Sequence, residues 1–212
     1  MQVSQDLAGV INEREVDHEI SPIFPLRWSK RAMSGELITK EELLRLFEAA
    51  RWAPSSFNNQ PWRFIYALRN SEDFDRFSDL LQESNRVWAK EAAVLVLIVS
   101  HKTFDKTGQP ARTHSFDTGA AWENIALQAS HMGFVCHGME GFDYIQAYDE
   151  LSIPRDQYVV EAMAAIGKPG NIEILPTKLK EKEHPNTRKP IEEFVFEGRF
   201  RSDNSELPPT YR

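Results

Sequence analysis

Apolar residues repeat with helical spacing in two stretches of the first half of the chain. The first stretch follows Thr39, and Glu42 lies three residues later, which is the arrangement of a capping box. We therefore predict a helix that begins after Thr39 and is stopped by Pro54, with one apolar face formed by Leu43, Leu46, Phe47 and Ala50. A second predicted helix follows Ser71 and buries a stripe formed by Phe74, Phe77 and Leu81.

Four other stretches have the composition and the turn boundaries of strands: residues 63–68, 93–99, 134–137 and 159–166. Residues 93–99 are apolar at every position, which predicts a strand covered by helices on both faces of its sheet. A long helix is predicted over residues 113–132, with Gly133 suited to its C-terminal cap. Helices and strands follow one another in mixed order, which predicts an α+β or α/β fold.

The length and charge of the chain restrict the kinds of protein it can be. Its 212 residues, 41% of them hydrophobic, suffice for one substantial core. With 25 Lys and Arg against 32 Asp and Glu, the net charge of −7 disfavours nucleic-acid and acidic-membrane partners. The longest apolar run, residues 92–99, is too short to span a membrane, and residues 1–17 lack the apolar stretch of a signal peptide.

The single cysteine, Cys136, excludes an intrachain disulfide and favours a reducing compartment, so we predict a cytoplasmic protein. His131 and His137 lie near it, but the spacing fits no zinc pattern. Cys136 is better explained as a small core residue, and no metal is predicted. The predicted organisation of the chain is an N-terminal arm, a folded domain and a C-terminal tail, at residues 1–23, 24–195 and 196–212.

Two polar segments contain residues able to bind a ligand. Residues 27–31, Arg-Trp-Ser-Lys-Arg, place three cations and a hydroxyl within five positions, which suits either a phosphate or an ordinary solvated turn. Residues 53–62, Ala-Pro-Ser-Ser-Phe-Asn-Asn-Gln-Pro-Trp, offer hydroxyl and amide groups to a polar ring edge or to local turns. The sequence contains no Rossmann fingerprint, P-loop or Gly-x-Ser-x-Gly motif, and it nominates no hydrolase nucleophile.

In order and spacing, these segments and three later ones resemble the FMN-dependent nitroreductase family. The later segments are Met-Glu-Gly-Phe-Asp, Ala-Ile-Gly-Lys-Pro and Arg-Lys-Pro, at residues 139–143, 165–169 and 188–190. The helix that contains Gly119 lies between the earlier and the later segments. The resemblance covers about residues 24–195, and it implies an α+β fold with a central mixed sheet flanked by helices and a domain-swapped type of homodimer.

The resemblance also implies two FMN sites at the subunit interface, each built from both chains. Transferred to this sequence, it names ten cofactor-binding residues: Arg27, Ser29, Arg31, Ser55, Ser56, Asn58, Asn85, Glu140, Gly141 and Arg188. Arg27, Ser29 and Arg188 match positions that hold the phosphate and the ribityl chain. Arg31 matches the basic residue that approaches atoms N1 and O2 of the flavin, where reduction builds negative charge.

The other implied contacts concern the flavin ring. Residues 55–58 match the loop that reaches the flavin from the partner subunit, and Asn85 matches an asparagine at the isoalloxazine edge. Glu140 and Gly141 match the segment whose backbone meets atoms N5 and O4. Two features depart from the family pattern: Trp28 replaces a smaller or polar residue, and residues 186–187 lack a second basic residue that many members have.

The activity implied by the resemblance is that of an FMN-dependent oxidoreductase with a ping-pong mechanism. NADH or NADPH would deliver hydride to flavin N5, and the electrons would pass to a nitroaromatic, a quinone, an enone or another small acceptor. Because the cofactor performs the difficult chemistry, no catalytic side chain is predicted. Two alternatives stay open: specialised flavin chemistry, such as dehalogenation or flavin fragmentation, and a non-catalytic flavin-binding dimer.

Overall fold

The computed structural model describes residues 14–200, so residues 1–13 of the predicted arm and residues 201–212 of the predicted tail lie outside it. The helices are α1 Ile23–Leu26, α2 Lys40–Arg51, α3 Glu72–Leu80, α4 Glu83–Ala89, α5 His114–His131, α6 Tyr144–Glu150 and α7 Thr177–Lys180. The strands are β1 Trp62–Leu68, β2 Val94–His101, β3 Val135–Met139 and β4 Tyr158–Gly167. Within residues 14–200, no helix has the length and hydrophobicity needed to cross a membrane.

The chain divides into two compact units. Arg27–His184 form one unit, which contains the sheet and helices α2 to α7. The described parts of the two chain ends, residues 14–26 and 185–200, form the other. The boundaries predicted from the sequence, after residues 23 and 195, stay predictions.

The four strands form one sheet in the order β1-β2-β4-β3. All three pairings within the described residues are antiparallel, so the prediction of a mixed sheet is wrong for this part of the chain. The reason is visible at β1 and β2: the connection through α3 and α4 returns the chain to the end where β1 finished. Val94 therefore begins β2 opposite Leu68, and β2 must run in the reverse direction.

Alternate residues of β2 enter two separate cores, as the period-2 geometry of a strand requires. Leu95, Leu97 and Val99 join the core formed with α3, α4 and α6. Val94, Val96 and Ile98 join the core on the opposite face, formed with α2 and α5. Full burial stabilises the fold by roughly 1.5–3 kcal/mol per large aliphatic side chain. The predicted two-sided covering of this strand is confirmed.

Two of the helix starts follow directly from the predicted capping residues. Thr39 caps α2: its Oγ1 accepts from the Glu42 backbone at 3.2 Å, and the Glu42 carboxylate accepts from the Thr39 backbone at 2.8 Å. Ser71 caps α3 by accepting from the backbone of Phe74 at 3.3 Å. The third buried residue of α3 was predicted as Leu81. The helix ends at Leu80, and Leu80 takes this place beside Phe74 and Phe77.

Candidate functional site

The basic segment, Arg27–Arg31, is held through its backbone by two distant side chains. His137 of β3 donates from Nδ1 to the Lys30 carbonyl oxygen at 2.9 Å. The backbone N–H groups of Arg31 and Ala32 donate to Glu183 Oε1 at 2.6 and 2.9 Å. The basic segment is therefore fixed in place, unlike a solvated turn.

The two arginines of the basic segment are largely covered. The Arg27 side chain is 17% exposed, and its Nε lies 3.4 Å from Glu123 Oε1 on α5. The Arg31 side chain is 26% exposed, and its Nη1 lies 3.6 Å from Glu183 Oε2. Ser29 lies between them in sequence and is half-buried. This arrangement brings two guanidinium groups and a hydroxyl into one short segment, which is a donor set for an anion.

Burial determines the protonation state of His137. Removal from water lowers the pKa of His137 below its ordinary value, because burial penalises the charged imidazolium. The ring packs against Trp88, with 4.6 Å between the ring centres. A neutral His137 with its proton on Nδ1 satisfies the Lys30 carbonyl, so the contact needs no positive charge.

A second group of predicted site residues meets where β3 ends. The Gly141 carbonyl oxygen accepts from Asn85 Nδ2 at 3.1 Å and from the Gln82 backbone at 3.0 Å. A Cβ at Gly141 would lie 2.8 Å from Asn85 Nδ2, so a larger residue at this position would displace the Asn85 side chain. Glu140 directly precedes Gly141 and is exposed. The structure thus brings Asn85, Glu140 and Gly141 together, and it adds Gln82, which the sequence did not nominate.

The 55–60 loop, which joins α2 to β1, has a strained backbone. Phe57, Asn58 and Gln60 have φ values of 52°, 56° and 50°. These values lie in the left-handed region, which residues other than glycine rarely adopt. Such conformations cost on the order of 1–3 kcal/mol each and are concentrated at functional sites. Phe57 is 90% exposed, so its side chain is turned away from the core of its own chain.

Hydrogen bonds hold the base of the 55–60 loop. Ser55 Oγ accepts from the Gln60 backbone at 3.0 Å, which closes the loop on itself. The Ser56 backbone donates to Oδ2 of the buried Asp117 on α5 at 3.0 Å. Asn58 contacts Gln60 through its side-chain oxygen at 3.2 Å. Sequence reasoning missed Asp117, because a carboxylate inside a helix gives no signal of a distant loop partner.

Arg188 lies in the unit formed by the chain ends. Its Nη1 donates to Asn186 Oδ1 at 3.2 Å and to the Thr187 carbonyl oxygen at 3.0 Å. Asn186 and Thr187, which stand where many family members carry a second basic residue, thus hold the Arg188 side chain locally. Arg188 itself is exposed.

One further polar cluster has the residue types of a hydrolase but not its geometry. Ser100 donates its hydroxyl proton to Glu161, so His114 Nδ1 must be the donor in its 2.7 Å contact with Ser100 Oγ. This tautomer cannot accept the serine proton at Nδ1, and Ser100 is fully buried. Glu161 reaches the cluster as the extra residue of a β-bulge in β4. The cluster does not make Ser100 a nucleophile.

Cys136 occupies the position predicted for a small core residue. It is a free, buried thiol in the core shared with α2 and α5. Burial raises its pKa above the ordinary value of a cysteine. In the described part of the chain, no group of three or more His, Cys, Asp or Glu residues is arranged to hold a metal ion.

The family model described as "Nitroreductase family" matches residues 26–87 and 81–168 of the chain. These ranges contain the basic segment, the 55–60 loop and the residues around Gly141 at the end of β3, and together they cover more than half of the sequence. The chain belongs to the nitroreductase family. Its α+β fold and the resemblance seen in the sequence are thereby confirmed.

Individual relatives of this nitroreductase-family chain include proteins and solved structures of comparable size. A crystallised oxidoreductase containing FMN is 43% identical, with a TM-score of 0.86, and the match covers 96% of this chain and 100% of that one. Protein DrgA of Synechocystis sp. is 28% identical over 69% of this chain and 81% of its own length. A nitroreductase family protein of Clostridium difficile 630, at 22% identity and a TM-score of 0.63, shares the fold over 82% of this chain and 95% of its own.

A fourth relative has a name that includes a nicotinamide cofactor. It comes from Archaeoglobus fulgidus and is named as a candidate NADH dehydrogenase/NAD(P)H nitroreductase. It is 29% identical over 149 residues, which cover 69% of this nitroreductase-family chain and 75% of its own length.

Proposed function

We propose that this protein is an FMN-dependent oxidoreductase that takes electrons from NADH or NADPH and passes them to a small organic acceptor. The observation that carries the proposal is the 43% identity, over 96% of the chain, to an oxidoreductase that contains FMN. The name of the Archaeoglobus fulgidus relative supports a nicotinamide donor. Nitroaromatics, quinones and enones are the proposed acceptors, and the cytoplasm is the proposed compartment.

The described residues fit a cofactor that carries a phosphate. Arg27 and Arg31 are partly buried cations within one fixed segment, with the Ser29 hydroxyl between them in sequence. Guanidinium groups bind phosphate oxygens through paired, charge-assisted hydrogen bonds. We therefore assign Arg27 and Ser29 to the phosphate and the ribityl chain of FMN, and Arg188 to the phosphate as a further cation.

The residues at the end of β3 fit the polar edge of the flavin ring. Glu140 and Gly141 offer backbone groups at an exposed corner, and Asn85 is fixed beside them by its 3.1 Å contact with the Gly141 carbonyl. We assign these three residues to the ring edge that carries N5 and O4. We assign Arg31 to the N1/O2 side, where a cation stabilises the negative charge that reduction brings.

We further propose that the protein is a homodimer in which Ser55, Ser56 and Asn58 reach the cofactor of the partner subunit. The 55–60 loop is anchored at its base and exposes Phe57. On α5, Phe116 is 80% exposed, and no atom lies within 4 Å of a Cβ placed on Gly119. This face of α5 leaves room for close approach by a helix of a second copy.

Bound FMN would supply the chemistry of hydride transfer at N5. The chain's own contribution is to orient the ring, to hold a cation at its N1/O2 side and to exclude water from one face. No side chain is assigned a proton transfer. Donor and acceptor would use the same space over the ring in turn, which predicts ping-pong kinetics with parallel lines in double-reciprocal plots.

The test begins with the visible absorption spectrum of the purified protein, followed by anaerobic titration with NADH and with NADPH. We expect a yellow protein whose flavin absorbance bleaches with at least one donor and returns when a quinone or nitroaromatic is added. Protein without flavin after reconstitution with FMN would contradict the proposal. Flavin that stays oxidised with both donors would favour the non-catalytic binding protein.

An acceptor panel separates the remaining alternative. Nitroaromatics, quinones, enones and halogenated phenols are compared under NAD(P)H, with free FMN at equal concentration as the control. We expect turnover of at least one of the first three classes above the free-FMN rate. Turnover of halogenated phenols alone, or destruction of the bound flavin under oxygen, would instead identify specialised chemistry on the same fold.

A further inference from the structure

Glu183 is a carboxylate buried against the basic segment. Its Oε1 accepts from the backbone N–H groups of Arg31 and Ala32 at 2.6 and 2.9 Å. Its Oε2 lies 3.6 Å from the Arg31 guanidinium, and its side chain is only 4% exposed. One carboxylate therefore contacts two consecutive backbone amides and the side chain of the first of these residues.

The surroundings of Glu183 in the sequence do not explain this burial. Residues 180–184 read Lys-Glu-Lys-Glu-His, a composition typical of a solvated surface turn. A buried carboxylate is costly unless hydrogen bonds and an opposite charge compensate it. Here two backbone amides satisfy Oε1, and Oε2 has only the ion pair with Arg31, so the contacts that offset the burial of Glu183 come from the basic segment and Ala32.

His137 fixes the same segment from the other side of one peptide group. It binds the Lys30 carbonyl, while Glu183 binds the next two amides; His137 lies on β3, and Glu183 lies in the segment after α7. Contacts of this kind reduce the conformational freedom of residues that hold a ligand, before the ligand arrives. The backbone of residues 30–32 is thus fixed by the protein itself.

We propose that Glu183 is a positioning residue that fixes the basic segment and tunes the charge that Arg31 presents to the cofactor. The inference rests on the proposed function, because it assigns Arg31 to the N1/O2 side of the flavin. The Glu183 carboxylate offsets part of the positive charge of Arg31. It therefore moderates the stabilisation of the reduced flavin and lowers the reduction potential relative to an unpaired arginine.

The test is the flavin midpoint potential of Glu183→Gln, measured with the FMN-loaded protein. Glutamine keeps an oxygen that accepts from both amides but removes the negative charge. We expect the midpoint potential to rise, so that reduced FMN binds severalfold more tightly relative to oxidised FMN than in the wild type. Arg31→Met should shift the potential in the opposite direction, with oxidised FMN still bound.

The double variant Glu183→Gln/Arg31→Met isolates the interaction between the two residues. If Glu183 acts through Arg31, glutamine should leave the potential of Arg31→Met almost unchanged. Glu173→Gln is the matched control, because it removes the same charge from an exposed ion pair with Lys180. The control should retain the wild-type potential.

The positioning role has a readout that needs no cofactor. In the FMN-free protein, Glu183→Ala should accelerate hydrogen exchange at the amides of Arg31 and Ala32, whereas Glu183→Gln should largely preserve their protection. An unchanged or lower potential in Glu183→Gln, or loss of its flavin, would overturn the proposal. A wild-type protein that never binds FMN would instead refute the proposed function. The hydrogen-exchange rates of the FMN-free protein would still test the positioning role.

Discussion

The basic segment and the 55–60 loop carry the predicted binding groups in opposite structural settings. The basic segment is fixed along its backbone by His137 and Glu183, and its arginines are mostly covered. The loop is held through Asp117, through its own closing contact and through hydrogen bonds of Asn59 with Thr103 and Asp105, while Phe57 is exposed. The basic segment is preorganised within the chain, whereas the 55–60 loop presents Phe57 to contacts outside the chain.

This difference agrees with a site completed by two subunits. A region that binds ligand within its own chain gains from buried supports, because they reduce the entropy lost on binding. A region that binds a neighbour must keep its binding groups outside its own core, and Phe57 and Asn58 of the 55–60 loop are exposed. We therefore expect the buried basic segment to bind ligand within its own chain and the exposed 55–60 loop to bind in a neighbouring subunit.

The largest expected effect comes from removing two cations together in Arg27→Ala/Arg188→Ala. Each charge-assisted contact with phosphate contributes roughly 1.5–3 kcal/mol, so FMN affinity should fall by at least about a hundredfold. Flavin content after purification and titration of the FMN-free protein measure the loss. Arg76→Ala/Arg155→Ala, which removes two cations from exposed ion pairs, is the control. Tight FMN binding by the first variant would break the assignment of the basic segment.

The next effect concerns the face of α5 that is proposed to pack against a second copy of the chain. Phe116→Glu places a charge on the exposed face of α5 and should convert a dimer into a monomer with weakened FMN binding, because each site would lose the contacts that the partner is proposed to supply. Sedimentation at low micromolar concentration measures the mass, which should be twice that of the chain for the wild type. Ile145→Glu on α6 is the control for an exposed apolar residue elsewhere. A wild-type monomer that binds FMN would remove the basis of the comparison.

A smaller effect is expected where the 55–60 loop is anchored. Asp117→Ala removes the acceptor of the Ser56 amide and of the Thr113 hydroxyl, which lie 3.0 and 3.3 Å from Oδ2. The free energy of unfolding should fall by roughly 1–3 kcal/mol, and FMN binding should weaken as the loop loosens. Urea unfolding measures the first, and flavin titration the second. Asp117→Asn keeps an acceptor oxygen and should lose less; equal losses would mean that charge, not anchoring, is the role of Asp117.

The smallest effect is a pH dependence of stability from His137. The pKa of His137 in the folded protein lies below the ordinary value of about 6.5. As the pH falls through about 6.5, this histidine is therefore protonated in the unfolded chain before it is protonated in the folded protein. This contribution to stability is therefore present above about pH 6.5 and is lost as the pH falls further. Unfolding free energies between pH 7.5 and 5.5 should drop more for the wild type than for His137→Gln, which cannot titrate. Parallel profiles for the two proteins would show that folding does not lower the pKa of His137.

Much of the fold was predictable because it follows from local patterns. The capping box at Thr39 and the uniformly apolar residues of β2 both specify their elements without reference to the rest of the chain. Helices α4 and α6 were not predicted, because seven residues are too few to display a helical period. The strand directions were also inaccessible, since they depend on where each connection returns the chain.

The candidate site divides in the same way. The chemistry of Arg27 and Arg31 is visible in the sequence, and the resemblance to relatives nominated Gly141 and Asn85, which the structure brings together. Glu183 was not predicted, because it lies in a polar run and contacts Arg31 across a separation of 152 residues. Residues that bind a ligand have characteristic types, whereas residues that support them are defined only by tertiary contact.

The single thiol of the chain has a consequence for the protein's tolerance of electrophiles. Quinones and enones, two of the proposed acceptor classes, alkylate thiolates by conjugate addition. Cys136 is buried and its pKa is raised, so it offers these compounds neither access nor a reactive anion. An enzyme built this way can turn over thiol-reactive compounds without accumulating covalent damage at its own cysteine. Any cysteine introduced on its surface would be the preferred target of such reagents, which gives a direct means of attaching one label per subunit.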